Sequence, residues 1–90
     1  VTVGLMDRSL VHCREVFRNA IRIGCMRIII AHNHPSGDPR PSEEDKRMTE
    51  MLVAAGKLLD VRVLDHIVVG RQDADLTGKG FFSFGEAGLL

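Results

Sequence analysis

The hydrophobic and polar positions change period several times along the chain, and each change predicts an element. Residues 1–3 alternate like the end of a strand that Gly4 can close. A polar connector, Asp7-Arg8-Ser9, follows, and Ser9 or His12 can start a helix. Val16, Phe17, Ala20, Ile21 and Ile23 then recur at helical spacing until Gly24 ends the run. Residues 26–31 are continuously apolar and rich in isoleucine apart from Arg27, which suits a central strand buried on both faces. From Ser42 to about Leu59 the pattern is helical again, with Met48, Met51, Leu52, Ala55 and Leu59 on one stripe. Gly56 interrupts that helix at a cost of roughly 1 kcal/mol against Ala, a sign that something packs close to it. Residues 61–64 alternate, and 67–70 continue as strand beyond Asp65 and His66. Residues 71–80 read as a polar loop, 81–84 as a short closing strand and 86–90 as a terminal turn. Strand, helix, strand, helix, strand, strand is the order of an α/β domain.

The stretch between the second strand and the second helix carries the chemistry. His32 and His34 are two apart, so on an extended strand end they point to one face. Pro35, Gly37, Pro39 and Pro41 are turn-formers that can fold the chain back and bring Asp45, in the first turn of the next helix, to the same spot. Two imidazoles and one carboxylate with no fourth protein ligand match a catalytic zinc site with a position left for water. Each part also has an ordinary reading. A lone His-x-His is more often a pair of surface or hydrogen-bonded residues. Ser42 followed by Asp45 three residues on is a capping-box pattern, and a carboxylate that caps competes with one that binds metal. Asp65-His66 can orient a metal ligand from behind, although on these residues alone a local cap or bridge is the favoured reading. Glu43 and Glu44 lie on the helix away from the Asp45 face and suit solvent or the helix dipole.

His32-Asn33-His34, seven residues, Ser42, two residues, Asp45 resembles the JAMM (MPN+) metalloprotease motif. With Pro35-Ser36-Gly37-Asp38-Pro39 and Pro41-Ser42 it is similar to the bacterial RadC branch of that family. Arg14-Glu15-Val16-Phe17, Leu64-Asp65-His66-Ile67 and Ser83-Phe84 extend the resemblance over nearly the whole chain, with Cys13 where the family usually has proline. The resemblance implies a cytidine-deaminase-like layout, a curved mixed sheet with flanking helices. It implies zinc held by His32, His34 and Asp45, a zinc-activated water attacking a peptide or isopeptide carbonyl, and Ser42 as the catalytic hydroxyl that stabilises the tetrahedral intermediate. The family's general base is a glutamate well upstream of His-x-His. The only upstream acids here are Asp7 and Glu15, and Glu15 matches the Arg-Glu helix position. The catalytic glutamate and the N-terminal strands are therefore expected before Val1, with residues 1–90 forming one JAMM/MPN-like domain of low activity by itself.

Composition narrows the rest. In 90 residues, 12 basic and 12 acidic side chains cancel, which argues against a strong electrostatic grip on nucleic acid by this domain. The DNA-repair role attached to RadC proteins is the alternative reading, together with a metal-stabilised interaction module without proteolysis. With no Trp or Tyr and four Phe, the core must be aliphatic. Cys13 and Cys25 have no C-x-x-C spacing and suit reduced thiols in a cytoplasmic protein. No apolar run reaches the length of a membrane span. The expected partner is a peptide or protein substrate. A sheet edge left open would pair with a second copy to give a homodimer.

Overall fold

The computed structural model describes the backbone of residues 2–7 and 13–90 and the side chains of residues 15–90. Strand β1 (Thr2–Asp7), helix α1 (Cys13–Ile23), strand β2 (Arg27–Asn33), helix α2 (Glu43–Leu59), strand β3 (Arg62–Val69) and strand β4 (Phe81–Ser83) follow in that order. A 3-10 turn at Gln72–Ala74 lies in the polar loop before β4. One mixed sheet in the order β1-β2-β3-β4 joins all the described strands. β1, β2 and β3 run parallel, and β4 returns antiparallel to β3. The α/β class predicted from the alternation of elements holds.

Strands that step in one direction through right-handed crossovers send their connecting helices to the same side of the sheet. The core agrees with this rule. Val16, Phe17 and Ala20 of α1, Leu52 of α2, and Ile28 and Ile30 of β2 form one buried cluster with Val61. Both described helices, which flank the sheet as expected, thus cover one face. The consequence shows in β2, whose inward residues Ile28, Ile30 and His32 are buried while Ile29 and Ala31 are only half-buried. The all-apolar run predicted two-sided burial, and one covered face gives alternation instead.

Several local expectations are corrected. Gly4 does not close β1; it pairs with Ile30 beside a register irregularity, because parallel pairing continues to Asp7 opposite Asn33. Ser9 and His12 fall outside the described residues, and α1 is described from Cys13. Ile21 and Ile23 are exposed, since the core reaches only the Val16-Phe17-Ala20 arc of α1. Gly24, at φ +74, ends α1 as expected. Gly24 N–H donates to Ile21 O and Cys25 N–H to Ala20 O, the Schellman arrangement. On α2, Met51 and Leu59 are also exposed. The buried positions are Asp45, Thr49, Leu52 and Gly56, with Met48 and Ala55 packed at the flank.

β3 is one strand through Asp65 and His66, but not with a single alternation. Ile28 pairs with Val63 and Ile29 with Asp65, so Leu64 is an extra residue, a bulge. Before it the odd-numbered Val61 and Val63 meet the core. After it the even-numbered His66 and Val68 are buried. A one-residue slip turns every later side chain to the other face, and here it turns His66 inward, level with Ile30.

Gly56 answers the question its helix-breaking cost raised. A Cβ there would overlap the Val61 carbonyl oxygen and lie 3.6 Å from the Phe17 ring. The same turn is stitched by Val61 N–H donating to Gly56 O at 2.9 Å. Gly56→Ala is therefore expected to destabilise the domain by about 1–3 kcal/mol through overpacking, despite the gain in helix propensity. Urea unfolding of the two proteins measures this, and an unchanged or raised midpoint would contradict the close packing.

Candidate metal centre

The three parallel strands place the end of β2 at the C-terminal edge of the sheet, where α/β folds gather their sites. His32 is the last inward residue of β2 and is fully buried. His34 follows just past the strand, with its N–H donating to Val69 O at 3.0 Å. This bond carries the extended path two residues further, so both imidazoles reach the same side as expected, with ring centroids 5.3 Å apart.

The loop after His34 folds back on bonds of its own. Gly37 takes φ +84 and donates its N–H to His34 O at 2.9 Å. Arg71 N–H donates to Gly37 O at 2.6 Å, and a Cβ at Gly70 would overlap that same oxygen, so the loop is seated on the end of β3. Asp38 accepts from Arg40 N–H at 3.1 Å and from its guanidinium at 2.7 Å. The Arg40 side chain holds the half-buried Asp38 carboxyl below its ordinary range. His34 Nδ1 donates to Asp38 O at 2.9 Å, which leaves Nε2 as the nitrogen aimed at the helix.

Helix α2 begins with the capping box read from the sequence. Asp45 N–H donates to Ser42 Oγ at 3.1 Å, and Ser42 N–H donates to Asp45 Oδ2 at 2.8 Å. Capping and convergence on the histidines coexist because the carboxylate divides its two oxygens. Oδ2 holds the cap and lies 3.0 Å from His34 Nε2, while Oδ1 lies 3.2 Å from His32 Nε2. His32, His34 and Asp45 form one group whose ligand-type atoms all lie within 4.8 Å of one another. Among the described residues, Asp45 Oδ1 is buried and accepts no hydrogen bond. A carboxylate oxygen in that state is costly unless a cation completes it. The donor set, two imidazole nitrogens and a carboxylate, is one that divalent transition metals take. These residues fit a metal ion.

Burial acts to raise the Asp45 pKa. The hydrogen bonds from Ser42 and the adjacent His32 and His34 outweigh it and hold the carboxyl below its ordinary value. Glu43 and Glu44 are exposed, and Glu43 accepts from Lys46 at 3.3 Å, away from the group.

His66 is the residue whose local reading the structure overturns. It is fully buried and its Nε2 lies 2.9 Å from His32 Nδ1, a bond across 34 positions of sequence. Thr49, buried one helical turn after Asp45, lies 2.6 Å from His66 Nδ1 and was not singled out in the sequence. Its spacing of four from Asp45, which puts both on one helix face, is the signal that marks it. Phe84 stacks on the opposite side of His66, with centroids 4.8 Å apart and planes at 9°. Burial, then the neighbouring His32, lowers the His66 pKa to about 4 against the opposing pull of Asp45 and Asp65. No described helix is long and apolar enough to cross a membrane.

An α/β domain with a His-His-Asp group at the C-terminal edge of its parallel strands is the layout of a JAB-type domain. The family model for the RadC-like JAB domain matches residues 1–89, and the chain belongs to the RadC family. It is 51% identical over 90 residues to a UPF0758 protein of Thermotoga maritima, covering all of this chain and 37% of that protein. A UPF0758 protein of Symbiobacterium thermophilum is also 51% identical over 90 residues, with 36% of its length covered. One from Alkaliphilus metalliredigens is 56% identical over 70 residues, which are 78% of this chain and 30% of that one. The chain thus spans little more than a third of the curated relatives it matches. JAB domains include hydrolases, and the group present here suits a metal.

The buried neutral His66 sets a pH dependence. Above its ordinary value of 6.5 both folded and unfolded chains hold it neutral. Between 6.5 and about 4 the unfolded chain binds a proton that the folded chain refuses. Stability is therefore full above 6.5 and is lost as pH falls, by at most about 1.4 kcal/mol per unit and on the order of 3 kcal/mol in all. Urea unfolding in chelator at pH 7 and pH 4.5 checks this against His66→Phe, whose loss over the same interval should be smaller. Equal losses would contradict it.

Proposed function

We propose that the domain is a zinc-dependent hydrolase of the metallopeptidase or isopeptidase class, acting on a peptide or protein substrate. The observation that carries the reading is the convergence of His32 Nε2, His34 Nε2 and the Asp45 carboxylate. In this reading His32, His34 and Asp45 hold the ion through three protein ligands, as in catalytic zinc sites. When bound, zinc supplies Lewis acidity that acidifies a water nucleophile and polarises a carbonyl. The sheet's layout is read as the curved, cytidine-deaminase-like arrangement of JAMM domains.

The chain's own residues divide the remaining work. His34 is oriented by its Nδ1–H to Asp38 O, so the loop that carries Asp38 sets the angle of one ligand. Asp45 is oriented by the Ser42 N–H, so the helix cap sets another. Ser42 Oγ accepts the Asp45 N–H and keeps its own proton to donate. That proton is the one we assign to an oxyanion developing beside the site. The positive end of α2 adds to the same stabilisation. Among the described residues no further carboxylate joins the His-His-Asp group, so the general base of the reaction is not assigned to any of them.

Elemental analysis of protein purified without chelator tests the reading. About one zinc per chain is expected, lost in His34→Ala and in Asp45→Ala. Ser42→Ala should keep its zinc while losing about 1 kcal/mol of stability from the cap. Failure of the wild-type chain to take up zinc, even when it is added back, would overturn the metal reading and leave Ser42 and Asp45 as a helix cap.

A further inference from the structure

Behind the metal group lies a buried chain of polar side chains whose proton positions are fixed by one fact. Thr49 Oγ–H donates to Asp45 O at 2.9 Å, and a carbonyl can only accept. A hydroxyl has one proton, so toward His66 Nδ1, 2.6 Å away, Thr49 Oγ must accept. His66 Nδ1 therefore carries the proton and donates it. A neutral imidazole protonated at Nδ1 has a bare Nε2. That Nε2 lies 2.9 Å from His32 Nδ1 and must accept from it. His32 is then protonated at Nδ1, and its lone pair sits on Nε2, the nitrogen 3.2 Å from Asp45 Oδ1.

We propose that Thr49 and His66 are positioning residues that hold His32 as its Nδ1–H tautomer and turn the Nε2 lone pair toward the metal position. The metal-binding consequence rests on the zinc reading above; the tautomer assignment stands on the hydrogen bonds. Two further features fit the role. The bulge at Leu64 is what brings His66 to the inward face. The ring is then clamped by stacking on Phe84, whose N–H donates to His66 O at 3.0 Å. Asp65 fixes that clamp: Oδ1 accepts from His66 N–H and Gly85 N–H, and Oδ2 accepts from Ser83 Oγ–H. The motif Asp65-His66 thus acts as a unit, Asp65 tying the backbone and His66 addressing the ligand.

The first test is a long-range proton–nitrogen correlation spectrum of the histidine side chains in the metal-free protein at pH 7. Nδ1–H is expected on both His32 and His66, and an Nε2–H tautomer on either overturns the relay. The second test is zinc affinity by competition with a chromophoric chelator. Thr49→Val and His66→Phe should each lower affinity by about 10–100-fold, the usual effect of removing a partner behind a ligand. Thr49→Ser, which keeps the hydroxyl, should restore it. Wild-type affinity in both Thr49→Val and His66→Phe overturns the proposal while leaving the zinc reading intact. Should either variant fail to fold, the wild-type spectrum and Thr49→Ser still decide. If the wild-type chain binds no zinc, the zinc reading fails, and the tautomers alone keep or overturn the relay.

Discussion

The Asp45 carboxylate is the constraint on which the rest of the structure depends. It is fully buried, and one oxygen meets two neighbours, Ser42 and His34, while the other accepts no hydrogen bond among the described residues. Oδ2 takes the Ser42 N–H and faces His34, so the start of α2 and the end of the proline-rich loop are tied at one atom. Its backbone carbonyl takes the Thr49 hydroxyl, which fixes the buried chain behind His32. A charged group in this position is tolerated only with dense compensation. The helix N-terminus, the cap and the two imidazoles supply part of it. The remaining oxygen, 3.2 Å from His32 Nε2, belongs to the His32-His34-Asp45 group that could hold a metal ion.

That arrangement follows from how a helix packs on a parallel sheet. In a crossover α2 runs opposite to the strands it joins, so its N-terminal residues meet the C-terminal ends of β2 and β3. The inward residues of β2, read toward that edge, are Ile28, Ile30 and His32. Those of α2, read away from it, are Asp45, Thr49, Leu52 and Gly56. The polar ends of the two series coincide, and so do the apolar ends. Leu52 packs with Ile28 and Ile30, and Gly56 lets Val61 approach, while Asp45 and Thr49 lie over His32 and His66. One packing register thus builds the core at one end and the metal group at the other.

How much of this was legible depended on the range of each interaction. His32, His34, Ser42 and Asp45 could be read because strand alternation, turn chemistry and capping act over two to four residues. The element order and Gly24 were legible for the same reason, and so was the close approach at Gly56. Ile21, Ile23, Met51 and Leu59 were assigned to apolar stripes but are exposed, because a stripe in sequence is wider than the contact a small sheet can offer. His66 could not be placed, since its partner is 34 residues away and its inward direction depends on the bulge at Leu64. Alternation counted from Val61 and Val63 would have pointed Asp65 to the core instead.

The bulge also decides which polar residue stands on the inward face of β3. Without the bulge, Leu64 would pair with Ile29 and the position level with Ile30 would fall to a carboxylate, Asp65. With it, Asp65 turns to the far face, where Ser83 Oγ–H and Gly85 N–H satisfy it, and an imidazole enters the core. An imidazole can be neutral, donate from one nitrogen and accept at the other, which is the property needed between a hydroxyl that must accept and a histidine that must donate. An asparagine or glutamine has the same two capacities but lacks the flat ring that Phe84 covers. The residue type at position 66 is thus set from both sides, by hydrogen-bond polarity along the relay and by stacking across it.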